Sequence, residues 1–171
     1  RLGAMSRFLD YLLDEEVIAA NPVASVSKRR KPKPAPPREN YFTPEQLGAL
    51  WNAEGLKPSY QRYLRFMITS PLRAGEVAEL TWKQINKERA ELRFWHDDTK
   101  NSEHFVMPLS SIAKQVIWET EQLQSELVFP LSSVENAQMS SWSYFNKCVR
   151  KASLVEDFIL HDLRRTFSTL M

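Results

Sequence analysis

The stretch His161-Asp162-Leu163-Arg164-Arg165-Thr166 is the most informative part of this 171-residue sequence. His161 and Arg164 are three residues apart, so on a helix the imidazole and the guanidinium lie on the same face. A second basic motif, Pro71-Leu72-Arg73-Ala74-Gly75-Glu76, lies far upstream and places an arginine between a bend and a helix start. Two arginines and a histidine that converge on one point would form a site for a phosphodiester on which charge develops.

Both motifs resemble those of the catalytic domain of the tyrosine recombinases, the phage-integrase family. The family pattern Thr-Gly-Leu-Arg-x-Gly-Glu stands here as Ser70-Pro71-Leu72-Arg73-Ala74-Gly75-Glu76, with proline in place of the usual glycine. Because proline fixes φ at about −65°, the bend before Arg73 must differ slightly from that of the family. The segment from His161 to Thr169 resembles the second family motif almost throughout.

The resemblance implies a role for each of these residues. Arg73 and Arg164 clamp the scissile phosphate, and His161 hydrogen-bonds that phosphate and assists proton transfer. Lys100, in a stretch that resembles the family hairpin, is the general acid that protonates the departing 5′ oxygen. A lysine does this well only where nearby arginines and desolvation lower its pKa. Glu76 is the carboxylate that holds an active-site arginine or histidine in place.

The family's nucleophile is a tyrosine beyond the His-x-x-Arg helix, and no tyrosine follows His161 among the 171 residues. The nucleophile is therefore expected to be absent from this chain, as in a catalytic domain truncated at its C-terminus. Such a fragment of a site-specific recombinase is expected to bind DNA without cleaving it. Loss of a downstream segment also predicts exposed apolar surface near Phe167 and Leu170.

Taken one at a time, the same residues also have ordinary structural interpretations. Arg73 can pair at the surface with Glu76 or Glu79, and lysines in polar turns such as Lys100 are usually solvated. A lone histidine is more often structural than catalytic. Two alternatives to a recombinase therefore remain: a non-catalytic DNA-binding or regulatory protein that retains the integrase fold, and an unrelated helical protein with chance motifs.

A metal or nucleotide cofactor is not expected. His96, Asp97, Asp98 and His104 are close in sequence, but their spacing matches no recognised ligand pattern, and solvent-facing turn residues are the preferred interpretation. The chain has four glycines and no Gly-rich phosphate loop. The family resemblance also implies no metal, because two arginines neutralise the charge.

Basic charge is concentrated in residues 28–38, which hold six of the 23 Lys and Arg residues and no acid, although the net charge of the chain is only +2. Four prolines there exclude a helix or a central strand. The segment is predicted to be an extended linker, which either lies along DNA or is simply solvated between domains. The residues assigned to DNA binding are Lys28, Arg29, Arg30, Lys31, Lys33, Arg38 and, from the second motif, Arg165.

The composition favours a soluble, cytoplasmic protein, and the family resemblance implies a nucleoid-associated protein of bacterial or phage origin. The single cysteine, Cys148, excludes an intrachain disulfide and fits a reducing compartment. There is no long apolar run and no signal-peptide pattern, so no membrane partner is expected. The resemblance implies double-stranded DNA and other recombinase protomers as partners.

The hydrophobic pattern predicts a mainly α-helical fold with a small antiparallel β-sheet, as in the tyrosine-recombinase catalytic domain. Residues 1–27 are expected to be the last helix of a mostly absent core DNA-binding domain, ended by Asn21-Pro22 after an apolar stripe that reaches Val17-Ile18. Residues 28–40 form the basic, Pro-rich linker. Residues 41–171 form the catalytic domain.

Local signals place the elements of that domain. Thr43-Pro44-Glu45-Gln46 predicts a capped helix that Gly55 closes, and a second helix follows over Tyr60–Ile68. Two strands are predicted around residues 92–95 and 104–107, with Lys100 on or near the turn between them. Four further helices are predicted: a short one after Arg73, one capped by Ser110, one from about Ser140, and one from near His161. The inward face of the helix capped by Ser110 is assigned to Ile112, Val116, Ile117, Thr120 and Leu123.

Overall fold

The computed structural model describes residues 2–24, 40–95, 105–120, 125–132 and 137–170. The chain divides into two units, 1–38 and 39–171. In the first unit, helix α1 (Leu2–Asp14) ends earlier than the apolar pattern predicts, before Val17-Ile18. Glu16 interrupts the helix because it adopts a left-handed φ of 57°. The Asn21 side chain then donates to Asp10 Oδ1 at 2.6 Å, which holds the following turn against the helix.

The second unit is mainly helical, with one small sheet and a 3-10 turn at Trp82–Gln84, which confirms the predicted fold class. Its described elements are α2 (Pro44–Trp51), α3 (Pro58–Ile68), α4 (Ala74–Ala78), β1 (Ile85–Asn86), β2 (Glu91–Phe94), β3 (Phe105–Pro108), α5 (Ser111–Trp118), α6 (Trp142–Ser153) and α7 (Leu160–Leu170).

The sheet has three antiparallel strands in the order β1-β2-β3, with Ile85 opposite Leu92 and Leu92 opposite Met107. Strand β1 was not predicted, because two residues are too short to show an alternating pattern. The turn that links β2 to β3 lies outside the described residues, and with it Lys100, His96, Asp97, Asp98 and His104.

The predicted start of α2 is confirmed. Thr43 accepts a hydrogen bond from the Gln46 backbone N–H at 3.3 Å, and Gln46 Oε1 accepts from the Thr43 N–H at 2.9 Å. The helix ends at Trp51 rather than at Gly55. Gly55 instead has a φ of +82° in the turn before α3, a conformation that costs glycine little.

The cap of α5 is also confirmed, since Ser110 accepts a hydrogen bond from the Ala113 N–H at 3.1 Å. The predicted inward face is partly wrong, because Ile112 is 51% exposed. The buried set is instead spaced by three and four residues, as one helix face requires. It consists of Ala113, Val116, Ile117 and Thr120, and Leu123 lies outside the described residues.

Helix α3 lies at the centre of the core and contacts α2, α4, α5 and α7. Tyr63 and Phe66 are fully buried and pack on aromatic rings from distant parts of the chain. The Phe66 and Phe129 ring centroids are 4.9 Å apart, and those of Tyr63 and Phe145 are 5.5 Å apart. Across the described residues, no helix is long and apolar enough to cross a bilayer.

Replacing Phe145 with alanine is expected to lower the free energy of unfolding by about 3–5 kcal/mol, because it empties the space between α3 and α6. The neighbouring Tyr144 is 51% exposed, so Tyr144→Ala should change stability by about 0.5 kcal/mol or less. Urea denaturation followed by circular dichroism measures both values. Equal losses in the two variants would show that α6 packs through a different face.

Candidate active site

Arg73 occupies the N-cap position of α4, with extended backbone at φ −74° and ψ 150°. Both oxygens of the Glu76 carboxylate hold it in place. Its Nη1 group donates to Glu76 Oε1 at 2.6 Å, and its backbone N–H donates to Glu76 Oε2 at 2.7 Å. The Arg73 side chain stays 45% exposed, so the guanidinium keeps donors that an incoming anion can reach.

The pairing of Arg73 with Glu76 is the surface ion pair that the sequence allowed. An exposed pair of this kind contributes only about 0–1 kcal/mol to stability. Its consequence is geometric, because one carboxylate fixes the backbone and the side chain of the same arginine. The direction in which Arg73 extends is therefore set before any ligand arrives.

A buried tyrosine supports α4 from the core side. The Tyr63 hydroxyl donates to the Ala74 carbonyl oxygen at 2.6 Å, one residue after Arg73. Burial raises the pKa of Tyr63, so the phenol stays protonated and remains a donor. The sequence pattern assigned Tyr63 only to the apolar stripe of α3. The residue type alone could have indicated this hydrogen bond, since a buried tyrosine hydroxyl usually needs a partner.

Two side chains of α6 hold the start of α7. Asn146 Oδ1 accepts a hydrogen bond from the Leu160 backbone N–H at 3.2 Å, and Arg150 Nε donates to the Phe158 carbonyl oxygen at 2.9 Å. Asn146 thus satisfies an N–H in the first turn of α7 that has no partner within the helix. Neither residue was singled out from the sequence, because their partners are 14 and 8 residues away and the pairing depends on how the helices pack.

Helix α7 presents His161 at the surface and Arg164 half-buried, whereas Leu163 is in the core. Thr166 is buried, accepts a hydrogen bond from the Phe42 N–H at 2.9 Å, and donates to the Asp162 carbonyl oxygen at 2.8 Å. Through its hydrogen bond with Phe42, Thr166 connects α7 to the segment that precedes α2.

A largely apolar groove of about 830 Å³ has neighbours of both basic motifs in its wall, but Arg73, His161 and Arg164 do not line it. Thr69 and Pro71, just before Arg73, line it together with Leu163 and Thr166 of α7. The rest of its wall comes from Leu47, Ile68, residues 105–110, Ile112, Phe167 and Leu170. Leu170 is 57% exposed whereas Phe167 is half-buried, so the predicted exposed apolar surface is confirmed at Leu170 alone.

The remaining candidate residues are placed differently. Arg165 is half-buried, and its Nη1 atom is buried without a hydrogen-bond partner in the part of the chain that the structure describes. Lys100 and the basic residues of segment 28–38 lie outside the described residues. Within the described ranges, no group of three or more His, Cys, Asp or Glu side chains could hold a metal ion.

Residues 40–171 match the sequence model of the phage integrase family, and the chain belongs to that family. A Haemophilus influenzae protein provisionally named integrase/recombinase is 25% identical over 172 residues. That alignment covers 95% of this chain and 46% of the relative. The chain therefore spans about half the length of the curated relative it matches.

Solved structures of recombinases share the fold. A lambda integrase dimer bound to a COC′ core site has a TM-score of 0.67 at 18% identity, covering 99% of this chain and 64% of that one. The XerA recombinase structure has a TM-score of 0.63 at 13% identity, and the match covers 99% of this chain and 68% of that one. The Tn1549 transposon integrase, solved in complex with circular intermediate DNA, has a TM-score of 0.60 at 14% identity. The match covers 96% of this chain and 62% of that one. At these identities the likeness establishes the fold.

Replacing Thr166 with valine is expected to cost about 1–3 kcal/mol of unfolding free energy, because the Phe42 N–H is left buried and unpaired. The same substitution at Thr169, whose hydroxyl is exposed on the next turn of α7, should cost about 0.5 kcal/mol or less. Urea denaturation compares the two variants. A Thr166→Val protein as stable as Thr169→Val would mean that the hydrogen bond to Phe42 does not stabilise the fold.

Proposed function

We propose that this chain is the phosphate-activating part of a site-specific DNA recombinase. Such an enzyme cuts and rejoins double-stranded DNA through a 3′-phosphotyrosine intermediate. The observation that carries the proposal is that Glu76 holds Arg73 in place while leaving it half-exposed, and that α4, which begins after Arg73, and α7, which carries His161 and Arg164, both contact α3. Membership of the phage integrase family over residues 40–171 supports the same function.

The proposed chemistry is transesterification at one phosphodiester. Arg73 and Arg164 bind the non-bridging oxygens and stabilise the negative charge that grows on them in the transition state. His161 donates a hydrogen bond to the same phosphate. A tyrosine hydroxyl gives up its proton, assisted by His161, and its oxygen bonds to phosphorus as the bond to the 5′ oxygen breaks. Lys100 then gives the leaving 5′ oxygen a proton. The 5′ hydroxyl of a partner strand reverses the step, so the phosphodiester bond energy is conserved without a nucleotide cofactor.

Glu76 has a positioning role in this proposal. It occupies one terminal nitrogen of Arg73 and leaves the other donors of the guanidinium to the phosphate. Because the same carboxylate also binds the Arg73 backbone, the arginine loses little freedom when the substrate arrives. This is how a contact that adds little to stability contributes to catalysis.

Other protomers are proposed partners on DNA, and the proposed location is the nucleoid in the cytoplasm. Lambda integrase has been solved as a dimer on a core site and as a tetramer on a Holliday junction. Recombination of two duplexes needs four strand cuts, which a symmetric assembly on DNA provides. We extend that assembly to this chain on the strength of the shared fold.

The nucleophile is proposed to be none of the five tyrosines of this chain. Tyr60 and Tyr63 are buried, Tyr144 lies on α6, and Tyr11 belongs to the first unit. Tyr41 is exposed but precedes α2, and no observation links it to a phosphate. In this proposal the chain supplies the residues that activate the phosphate, but none of its five tyrosines supplies the attacking hydroxyl.

The chain is expected to bind nicked duplexes that span the ends of the element encoding it, and to form no covalent adduct on denaturing electrophoresis. An adduct would show that one of the five tyrosines attacks, and would contradict the assignment of the nucleophile.

The roles of the arginines are tested in a form of the protein that carries a tyrosine beyond α7, where an adduct is expected. There, Arg164→Ala should slow adduct formation by roughly 10²–10³-fold, the usual effect of removing one charge-stabilising donor. Arg89→Ala, an exposed arginine in the turn between β1 and β2, is the matched control and should leave the rate unchanged. An unchanged rate in Arg164→Ala would remove Arg164 from the phosphate site.

Segment 28–38 is proposed to add sequence-independent affinity by lying along the DNA backbone. Replacing its six basic residues with glutamine should lower the slope of log Kd against log salt concentration by as much as about 5 units. Fluorescence anisotropy with a random-sequence duplex measures that slope. The same slope before and after replacement would show that the segment does not touch DNA.

A further inference from the structure

A second cleft in the 39–171 unit combines concave shape with mainly positive charge. It has a volume of about 550 Å³ and lies between the turn 54–57 and helix α6. Lys57, Lys147 and Lys151 line it, and Glu54 is the one carboxylate in the wall. The lining residues include neither Arg73 nor any residue of α7, so this lysine cleft is separate from the candidate active site.

The three lysines of the cleft are exposed, and their ammonium groups share no salt bridge or hydrogen bond with other described residues. Arg73 and Arg93, by contrast, are paired with carboxylates. Three unpaired ammonium groups around one concavity repel one another, and low-dielectric walls concentrate their field. An anion that enters the cleft relieves that repulsion.

Apart from Glu54, the walls of the lysine cleft carry no negative charge near pH 7. Two of the lining residues, the buried Tyr60 and the exposed Tyr144, are phenols that could ionise. Burial, followed by the proximity of Cys148 and Tyr144, raises the pKa of Tyr60. A hydrogen bond with the Cys148 thiol raises the pKa of Tyr144. Both phenols therefore stay neutral and do not oppose an anion.

The spacing of the lysines suits a repeating anion better than a single one. Lys147 and Lys151 are four residues apart on α6, which puts them on one face about 6 Å apart along the helix axis. Lys57, from the turn before α3, lines the same cleft. Phosphates of one DNA strand recur about every 3.4 Å along the duplex axis, so long lysine side chains can reach several of them.

We propose that the lysine cleft is a second DNA-contact surface, which grips the phosphodiester backbone away from the phosphate held by the arginines. The inference rests on the proposed function, since it takes the same DNA as ligand. Contacts of this kind orient the protein on the duplex without reading its sequence. The cleft would thus fix the angle at which Arg73 and Arg164 meet one phosphate among many.

The test is a triple variant, Lys57→Gln, Lys147→Gln and Lys151→Gln, of the complete 171-residue chain. Fluorescence anisotropy with a random-sequence duplex between about 50 and 200 mM salt gives the slope of log Kd against log salt concentration. Loss of three phosphate contacts should lower that slope by about 2–3 units, because each contact contributes about 0.9. Lysine-to-arginine replacement at the same positions should restore it. Circular dichroism confirms that each variant is folded.

A matched control removes the same net charge outside the cleft, with Lys83, Lys87 and Lys114 changed to glutamine. The slope of this control should stay within about one unit of the unaltered chain. An equal fall in both variants would reveal a general effect of net charge and overturn the cleft as a site. An unchanged slope in the cleft variant alone overturns the cleft and leaves the proposed function standing, whereas no duplex binding by the unaltered chain overturns both.

A further arm separates the DNA backbone from free phosphate as the ligand. Inorganic phosphate replaces chloride at constant ionic strength while duplex binding is followed. A duplex affinity that depends only on ionic strength supports backbone contact. Selective displacement by phosphate, seen in the unaltered chain and lost in the lysine-to-glutamine variant, would assign the cleft to the free anion and overturn the DNA contact.

Discussion

The burial of helix α3 is the constraint on which the rest of the 39–171 unit depends. Its residues Tyr63, Leu64 and Phe66 are without solvent exposure, and the helix contacts α2, α4, α5 and α7. A helix enclosed in this way cannot rotate or slide without opening cavities that cost several kcal/mol. The bend that ends in Arg73 follows directly from its C-terminus, and α7 packs against its side. The two motifs, distant in sequence, therefore share one rigid support.

The apolar core fixes the approximate positions of the helices, and side-chain hydrogen bonds to backbone groups fix those positions more closely. Tyr63 binds the carbonyl of Ala74, Asn146 binds the first turn of α7, and Thr166 binds the N–H of Phe42. Each bond adds only about 1 kcal/mol to stability. Each one, however, joins two elements at or near a candidate active-site residue. Apolar contacts resist compression but allow packed helices to slide slightly past one another. Hydrogen bonds have a preferred length and direction, so these bonds set the position of the donor groups of the candidate active site.

The features that could be predicted from the sequence are local ones. The capping box at Thr43 and Gln46 depends on residues three apart, and the chain order of helices α2 to α7 follows from periodicity and caps. The family motifs identified Arg73, His161 and Arg164 as site candidates. The helix that begins after Arg73 and the helix that carries His161 and Arg164 both contact α3, and the convergence of the three side chains on one phosphate stays a prediction. Non-local features could not be predicted. Ile112 is exposed because packing against α3 selects the neighbouring face of α5. Tyr63 and Asn146 gain their roles from partners that only the folded chain brings near.

In the part of this unit that the structure describes, Arg73 is paired with a carboxylate, whereas the ammonium groups of the lysine cleft are not. The difference follows from the kind of phosphate contact that each cation is proposed to make. Arg73 is paired with Glu76 yet keeps free donors, because a guanidinium has five N–H groups in a planar fork. A cation that must meet one phosphate in one geometry benefits from being held in advance. The ammonium groups of the lysine cleft are compact charges on flexible stems, exposed and without a carboxylate partner among the described residues. Such groups can follow whichever phosphate lies nearest, and a fixed geometry would be a disadvantage where every phosphate of a uniform backbone is acceptable.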